Sequence, residues 1–247
     1  MYDAMARNLR QETWAFMNYG YACGEADPIP TLEPDDEPNR LSYQLYHHLA
    51  VKVPIENGTV LEVGSGRGGG ASFLHKYLRP MRMTGVDFSQ EAVKLCQKLY
   101  HADGLEFIQG DAECLPLPDE SYDVVINIES SHCYGSVPAF LNEAVRVLKP
   151  GGHFLLADIR QRKALSELRG YLSASSLTIL EETEITSQVV HALEMGHESR
   201  LKSIRNHVPK VFVGSFMEFA GSEGSNVLNN LRNGNSVYMS FHCRKDG

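Results

Sequence analysis

VLEVGSGRGGG, residues Val60–Gly70, is a short apolar run that opens into five glycines within seven positions. A run bounded this closely, with valines on both sides of Leu61, reads as a buried strand rather than a helix. The glycines allow a tight turn and let the backbone approach a ligand closely. Gly64-x-Gly66-x-x-Gly69 fits the spacing of dinucleotide-binding loops, a weak signal alone because glycine loops follow many strands. The surrounding chain decides what the loop belongs to.

Outward from this point, strands and helices alternate. A helix is expected through Leu78, then a strand at Met83–Val86 ending in Asp87-Phe88-Ser89. Ser89 can cap a helix running to about Tyr100. Further strands are expected at Leu105–Gln109, Tyr122–Ile128 and His153–Asp158, with a helix over 137–148 before the last of these. Strands separated by helices of this length specify a parallel sheet with right-handed crossovers. Such a sheet takes its ligand at the carboxyl ends of its strands. The polar residues at those ends are Gly64 to Gly68, Asp87, Asp111 to Glu113, and Asn127 to His132.

Before the core, residues 1–19 read as a helix, and Asn18-Tyr19-Gly20-Tyr21 as a turn with aromatic flanks. Residues 25–37 carry six acids, Pro28, Pro30 and Pro34, and no Lys or Arg, as an exposed acidic loop would. A helix follows over Leu41–Val51. After Asp158 come a helix over 160–173, a strand near Leu177–Ile185, helical patterns between 187 and 232, and a terminal strand at Val237–Cys243. The expected organisation is therefore 1–40 as helix, aromatic lid and acidic loop, 41–186 with 233–247 as the ligand-binding domain, and 187–232 as a cap.

Composition narrows the function. The 247 residues hold 43% apolar and 22% charged side chains, as a globular chain does. No apolar run approaches the roughly 20 residues of a membrane helix. A net charge of −8 suits phosphate backbones poorly, and no basic stripe points to nucleic acid. Five cysteines without a C-x-x-C pair argue against a disulfide framework or a zinc ribbon. Residues 1–7 lack the apolar core of a signal peptide, and a reducing cytoplasmic setting is expected. A homo-oligomer is left open.

The strand ends suggest a ligand. Glu62, two residues before the first glycine, is a poor neighbour for a pyrophosphate and a good partner for an ammonium. Asp87, 23 residues beyond Gly64, suits a carboxylate accepting from ribose hydroxyls. Asp111-Ala112-Glu113 offers an acid to an adenine amino group, with Ala112 leaving room for the ring. An amino-acid head, a sulfonium and an adenosine match that charge pattern.

VLEVGSGRGGG, TGVDFS, FIQGDAECLPLPDESYDVVIN and EAVRVLKPGGHFLLAD together resemble the successive motifs of class I S-adenosylmethionine-dependent methyltransferases, over roughly residues 41–160. The resemblance implies a Rossmann-like α/β fold: a seven-stranded, mostly parallel sheet with an antiparallel final pair. It implies that Glu62, Gly64, Ser65 and Gly66 line the methionine part, that Asp87 holds the ribose, that Phe88 packs on the adenine, and that Asp111, Ala112 and Glu113 flank it. Glu129-Ser130-Ser131-His132-Cys133-Tyr134 resembles the corresponding stretch of enzymes that methylate hydroxyls of polyketide-derived lipids, the phthiotriolone and phenolphthiotriolone dimycocerosate methyltransferases among them. Asn18-Tyr19-Gly20-Tyr21 is similar to the aromatic lid of sterol and natural-product methyltransferases.

Methyl transfer from a sulfonium needs an aligned lone pair and exclusion of water. A hydroxyl acceptor also needs its proton removed. His132, just past the fourth strand on the ligand side, is the expected general base. Glu129 is the other candidate, or it orients the cofactor's amino group. Tyr21, ahead of Tyr19, is expected to face the sulfonium, and Gln44 to reach the methionine carboxylate. No G-x-S-x-G elbow supports a hydrolase, and no H-E-x-x-H or similar cluster requires a metal. The expected reaction is O-methylation of a hydrophobic small molecule such as a polyketide or lipid. Carbon methylation, cofactor binding without transfer, and an NAD(P)-dependent oxidoreductase are the alternatives; Glu62 and the absence of a Tyr-x-x-x-Lys dyad speak against the last.

Overall fold

The computed structural model describes residues 15–247, so Met5, Leu9 and Trp14 of the expected first helix lie outside the described residues. Seven strands form one sheet in the order β3-β2-β1-β4-β5-β7-β6. They are β1 (Thr59–Val63), β2 (Arg82–Asp87), β3 (Leu105–Gln109), β4 (Tyr122–Ile128), β5 (Leu148–Gln161), β6 (Leu177–Glu184) and β7 (Ser236–Lys245). β1 to β5 run parallel, and β7 pairs antiparallel with both β5 and β6. This is the mostly parallel α/β sheet that the resemblance implied. The strand order reverses between β1 and β4, and the crevice opens at their carboxyl ends.

Period-two alternation explains why both faces are covered. Val60 of β1 joins one apolar cluster with Val124, Ile126, Leu155 and Tyr238. Leu61 and Val63 join the opposite cluster with Val125, Phe154, Leu156 and Phe241. The first face packs against α1 (Arg40–Ala50), α2 (Gly69–Phe73, continued to Leu78), α3 (Gln90–Leu99), α6 (Thr186–Met195) and α9 (Asn226–Arg232). The second packs against α4 (Val137–Val147) and α5 (Leu165–Ala174). Ser89, Ser136 and Ser225 begin α3, α4 and α9 by accepting the N–H of the residue three further on, each at 3.2 Å.

Two expectations are corrected. Residues 15–19 are irregular rather than helical. Phe16 is drawn inward against Tyr43 and Tyr46, with ring centroids 4.8 and 6.0 Å away, and Gly20 turns the chain at φ +84°. The stretch 160–173 turns helical only after Gln161, with a 3-10 turn at Arg162–Ala164 and an α-helix from Leu165, because β5 runs on to Gln161 along β7. Region 187–232 is helical as expected, but its helices serve two purposes. Val189, Leu193, Leu228 and Leu231 of α6 and α9 belong to the main core. Only α7 (His197–His207) and α8 (Val213–Phe219) close on a separate small cluster of Ile204, Val208, Phe216 and Ala220.

Leu155 is fully buried in the middle of β5. Leu155→Ala should cost about 2–5 kcal/mol of unfolding free energy, read as a lowered urea midpoint with an unchanged slope. A change below about 0.5 kcal/mol would place that strand outside the cooperative core.

Candidate functional site

A cavity of about 620 Å³ sits on the carboxyl ends of β1 to β4, in the size range of small-molecule sites. The glycine loop forms its floor. Gly64 stands at φ +76°, and a Cβ there would lie 2.0 Å from Ser130 Oγ, so only glycine lets the loop pass beneath Ser130. The N–H groups of Gly64 and Ser65 both donate to the Val86 carbonyl, which ties the loop to β2. Residues 15–19 cover one side, and Phe219 at the end of α8 reaches the other.

Ten residues singled out from sequence line this cavity: Gly64, Ser65, Gly66, Asp87, Phe88, Asp111, Ala112, Glu113, Glu129 and His132. Asp87 Oδ2 accepts the Gly66 N–H at 2.8 Å and Oδ1 accepts the Ser89 N–H at 2.9 Å. Its carboxylate therefore organises the loop as well as facing the cavity. Asp111 Oδ1 accepts from the Glu113 N–H, and Glu113 Oε1 from the Ser136 N–H. Phe88 is 74% exposed, a loose aromatic at the rim.

Three residues do not line it. Tyr21 points inward, donates to Asp27 Oδ2 at 2.8 Å and stacks on His48; Tyr19 lines the cavity instead. Gln44 is buried in α1 away from the cavity, and Tyr46, two positions on, takes the wall. Glu62 lies behind that wall, on the β1 face that meets α1. Its Oε1 accepts the Tyr46 hydroxyl at 2.6 Å, and Oε2 has no hydrogen-bond partner. Burial pushes the Glu62 carboxyl up to about 8, against the pull of Tyr46.

Glu129 ends β4 with φ +48°, a left-handed conformation that non-glycine residues seldom adopt. Its Oε1 accepts the Tyr19 N–H at 2.7 Å and the Tyr238 hydroxyl at 2.8 Å. Those bonds clasp the N-terminal segment over the cavity. Burial raises this carboxyl as well, to about 8.

His132 follows in a short turn, and here the structure adds a partner that the strand-end survey passed over. Its Nδ1 lies 2.7 Å from Oδ1 of Asp158, which is 1% exposed within β5. Asp158 Oδ2 also accepts from Ser131 Oγ at 2.7 Å and the His132 N–H at 3.0 Å, and pairs with Arg160 Nη1 at 2.8 Å. Burial alone would raise the Asp158 carboxyl; His132 and Arg160 hold it below the usual range. Burial likewise pulls the His132 ring down, but Asp158, with Cys133 beside it, pushes it up to about 10. The polar residue closing the run Phe154–Ala157 was the available sequence signal for Asp158, of the same kind that marked Asp87.

The cavity wall carries Asp87, Asp111, Glu113 and Glu129 against Arg67 and His132. Ser65 Oγ and Asn18 Nδ2, on the same wall, are buried without a hydrogen-bond partner. Orphaned polar atoms in an acid-lined cavity suit a polar ligand bearing positive charge. Among the described residues no group of three or more His, Cys, Asp or Glu could hold a metal ion.

Comparison with known proteins finds similar methyltransferases. Residues 61–156 match the family model described as a methyltransferase domain. Over 99% of its length the chain is 40% identical to a phthiotriol/phenolphthiotriol dimycocerosates methyltransferase of Mycobacterium leprae, covering 90% of that protein. It is 38% identical to a fatty-acid O-methyltransferase of Mycolicibacterium smegmatis, over 98% of this chain and 87% of that one. The fold superposes on a crystal structure from Galdieria sulphuraria, provisionally described as a sarcosine dimethylglycine methyltransferase, with TM-score 0.73 and 16% identity, covering 94% of each chain.

Asp158→Asn should return the His132 titration from about 10 toward the ordinary 6.5, measured by NMR of the ring protons. The sign of the stability effect follows from the raised ring. Its contribution is complete below pH 6.5 and fades as pH rises through about 10, so the variant should lose most relative to wild type at neutral and acid pH. A His132 titration unchanged by the substitution would show that Asp158 does not set it.

Proposed function

The chain belongs to the class I S-adenosylmethionine-dependent methyltransferases, and on that premise we propose that it methylates an oxygen of a hydrophobic polyketide or lipid, with His132 as the general base. The observation that carries this reading is the His132–Asp158 pair at the cavity wall. The full-length similarity to enzymes named for dimycocerosates and for fatty acids supports the acceptor class.

Bound in this cavity, S-adenosylmethionine supplies a methyl group on a sulfonium open to in-line displacement. Ser65, Gly64, Gly66 and Asn18 would hold its amino-acid end, and Glu62 would complement an ammonium from behind Tyr46. Asp87 would take the ribose, and Asp111, Ala112, Glu113 and Phe88 the adenine. Glu129 fixes the covering segment through Tyr19 rather than taking the acceptor's proton. Residues 1–40 would act as the lid and 187–232 as the acceptor-side cap of a domain formed by 41–186 and 233–247. Together they exclude water from the reacting centre. No helix among the described residues is long and apolar enough to cross a membrane.

Asp158 occupies Nδ1 of His132 and so fixes the ring, leaving Nε2 to take the acceptor's proton. The same carboxylate keeps the imidazole protonated in the free protein. A cation sharing the cavity disfavours a second positive charge and lowers the ring's proton affinity. His132 thus becomes a competent base when the cavity is filled.

The raised His132 also favours a second reading, in which the acceptor is a carboxylate and the imidazolium pairs with it. The two differ in sign. As base, His132 must lose its proton, so kcat/KM rises with pH toward the ring's titration and flattens above it. As ion partner, it must keep its proton, so kcat/KM falls through the same range. His132→Ala should lower kcat by about 10²- to 10⁴-fold if it is the base, with cofactor affinity nearly unchanged by calorimetry. Wild-type turnover in that variant would remove His132 from both roles. Asp87→Ala should weaken cofactor binding by about ten- to a hundredfold; equal affinity would remove Asp87 from the ribose site.

A further inference from the structure

The α7–α8 hairpin differs from the rest of this acidic chain. Between His197 and Phe212 stand Arg200, Lys202, Arg205 and Lys210 against the single acid Glu198, in a protein of net charge −8. Lys202 and Arg205 lie three positions apart on α7, hence on neighbouring positions of one face. Lys202, Arg205 and Lys210 are exposed and have no acidic partner among the described residues. Arg232 of the neighbouring α9, by contrast, is tied to both Glu194 and Glu223. Directly after Lys210 come Val211, 80% exposed, and Phe212, 54% exposed. Their neighbours Val208 and Phe216 fill the small cluster beneath.

Isolated apolar residues at a surface need no explanation. A Val-Phe pair at the tip of a hairpin, next to unpaired cations and within an otherwise negative molecule, does. Cations on a polar face beside exposed apolar side chains form the surface that lies down on an anionic bilayer, with apolar tips entering the headgroup region. We propose that the segment from Lys202 to Phe212 docks this protein on an anionic lipid membrane. The orientation has a consequence for access. α8 leads from Phe212 to Phe219, a span of about 10 Å, and Phe219 lines the cavity. Membrane binding itself does not depend on the reaction assigned above; that reading adds only that a lipid acceptor would enter past Phe219.

The test uses the full chain and sedimenting vesicles of phosphatidylcholine alone or with about one-third phosphatidylglycerol. The protein should pellet with the anionic vesicles, remain largely in solution with the neutral ones, and be released as salt is raised. Lys202→Glu with Arg205→Glu should weaken the anionic partition by roughly thirtyfold or more. Val211→Ser with Phe212→Ser should weaken it independently. Neither pair lines the cavity, so cofactor affinity by calorimetry should stay at the wild-type value and report that the variants are folded. Absence of binding to anionic vesicles would overturn the proposal, as would equal binding to both vesicle types or wild-type partition in either double variant. Concentration-dependent self-association by sedimentation velocity, abolished by the Val211/Phe212 changes, would overturn it in favour of a second copy of the chain on this surface.

Discussion

A carboxylate withdrawn from water must be surrounded by donors or give up its charge. Asp158 is surrounded: His132 Nδ1, the His132 N–H, Ser131 Oγ and Arg160 Nη1 converge on it, and the Ile159 N–H closes the shell. These partners come from the turn after β4 and from β5 itself. The buried charge therefore fixes the turn that carries His132 relative to the strand that carries Asp158. Without that anchor, the ring would be one more exposed loop histidine. With it, the orientation of the imidazole and its charge are set by the same side chain, so geometry and proton affinity cannot be varied separately.

The remaining acids divide into those facing the cavity and those hidden behind it. Asp87, Asp111, Glu113 and Glu129 line the wall, whereas Glu62 sits behind Tyr46. Burial raises both Glu62 and Glu129 toward neutrality. The two nevertheless act differently. Glu129 is a structural acceptor whose donors bind the N-terminal cover and β7 together. Glu62 keeps one oxygen unpartnered, and that oxygen would favour the ionised form when a cation arrives on the other side of the tyrosine.

The sheet was legible in the sequence because each parallel strand is a compact apolar run closed by a polar residue. That rule located Gly64, Asp87, Asp111 and His132 without coordinates. The same rule points to Asp158, which closes the expected strand His153–Asp158, yet it was not singled out; β5 itself runs on past it to Gln161 along β7. What the run does not record is its partners: Ser131 and His132 reach Asp158 from the turn after β4. Tyr21 and Gln44 failed for a different reason. Each was assigned by proximity to the loop in chain order, but a rotation of one or two residues decides which side chain of an irregular segment or a helix faces the ligand. Packing of Phe16 and turning at Gly20 give the cavity to Tyr19, and the face of α1 gives it to Tyr46. Sequence periodicity holds no record of those choices.

The same distinction runs through region 187–232. Hydrophobic patterning identified it as helical, yet could not say which helices face the sheet. α6 and α9 send Val189, Leu193, Leu228 and Leu231 into the main core and are bound to the sheet's stability. α7 and α8 close on a small cluster of their own, and they are joined to α6 and α9 by Arg200 Nη1 donating to the Leu193 carbonyl and by the Asn226 and Val227 N–H groups donating to Glu218. Stability is not uniform across a fold, and elements with few buried apolar contacts open at lower cost than the core. Phe219 stands on α8, while Asp87, His132 and Asp158 are held by the sheet and its strand-end turns. The architecture separates the wall supplied by α8 from the part that holds the titratable groups of the cavity in place.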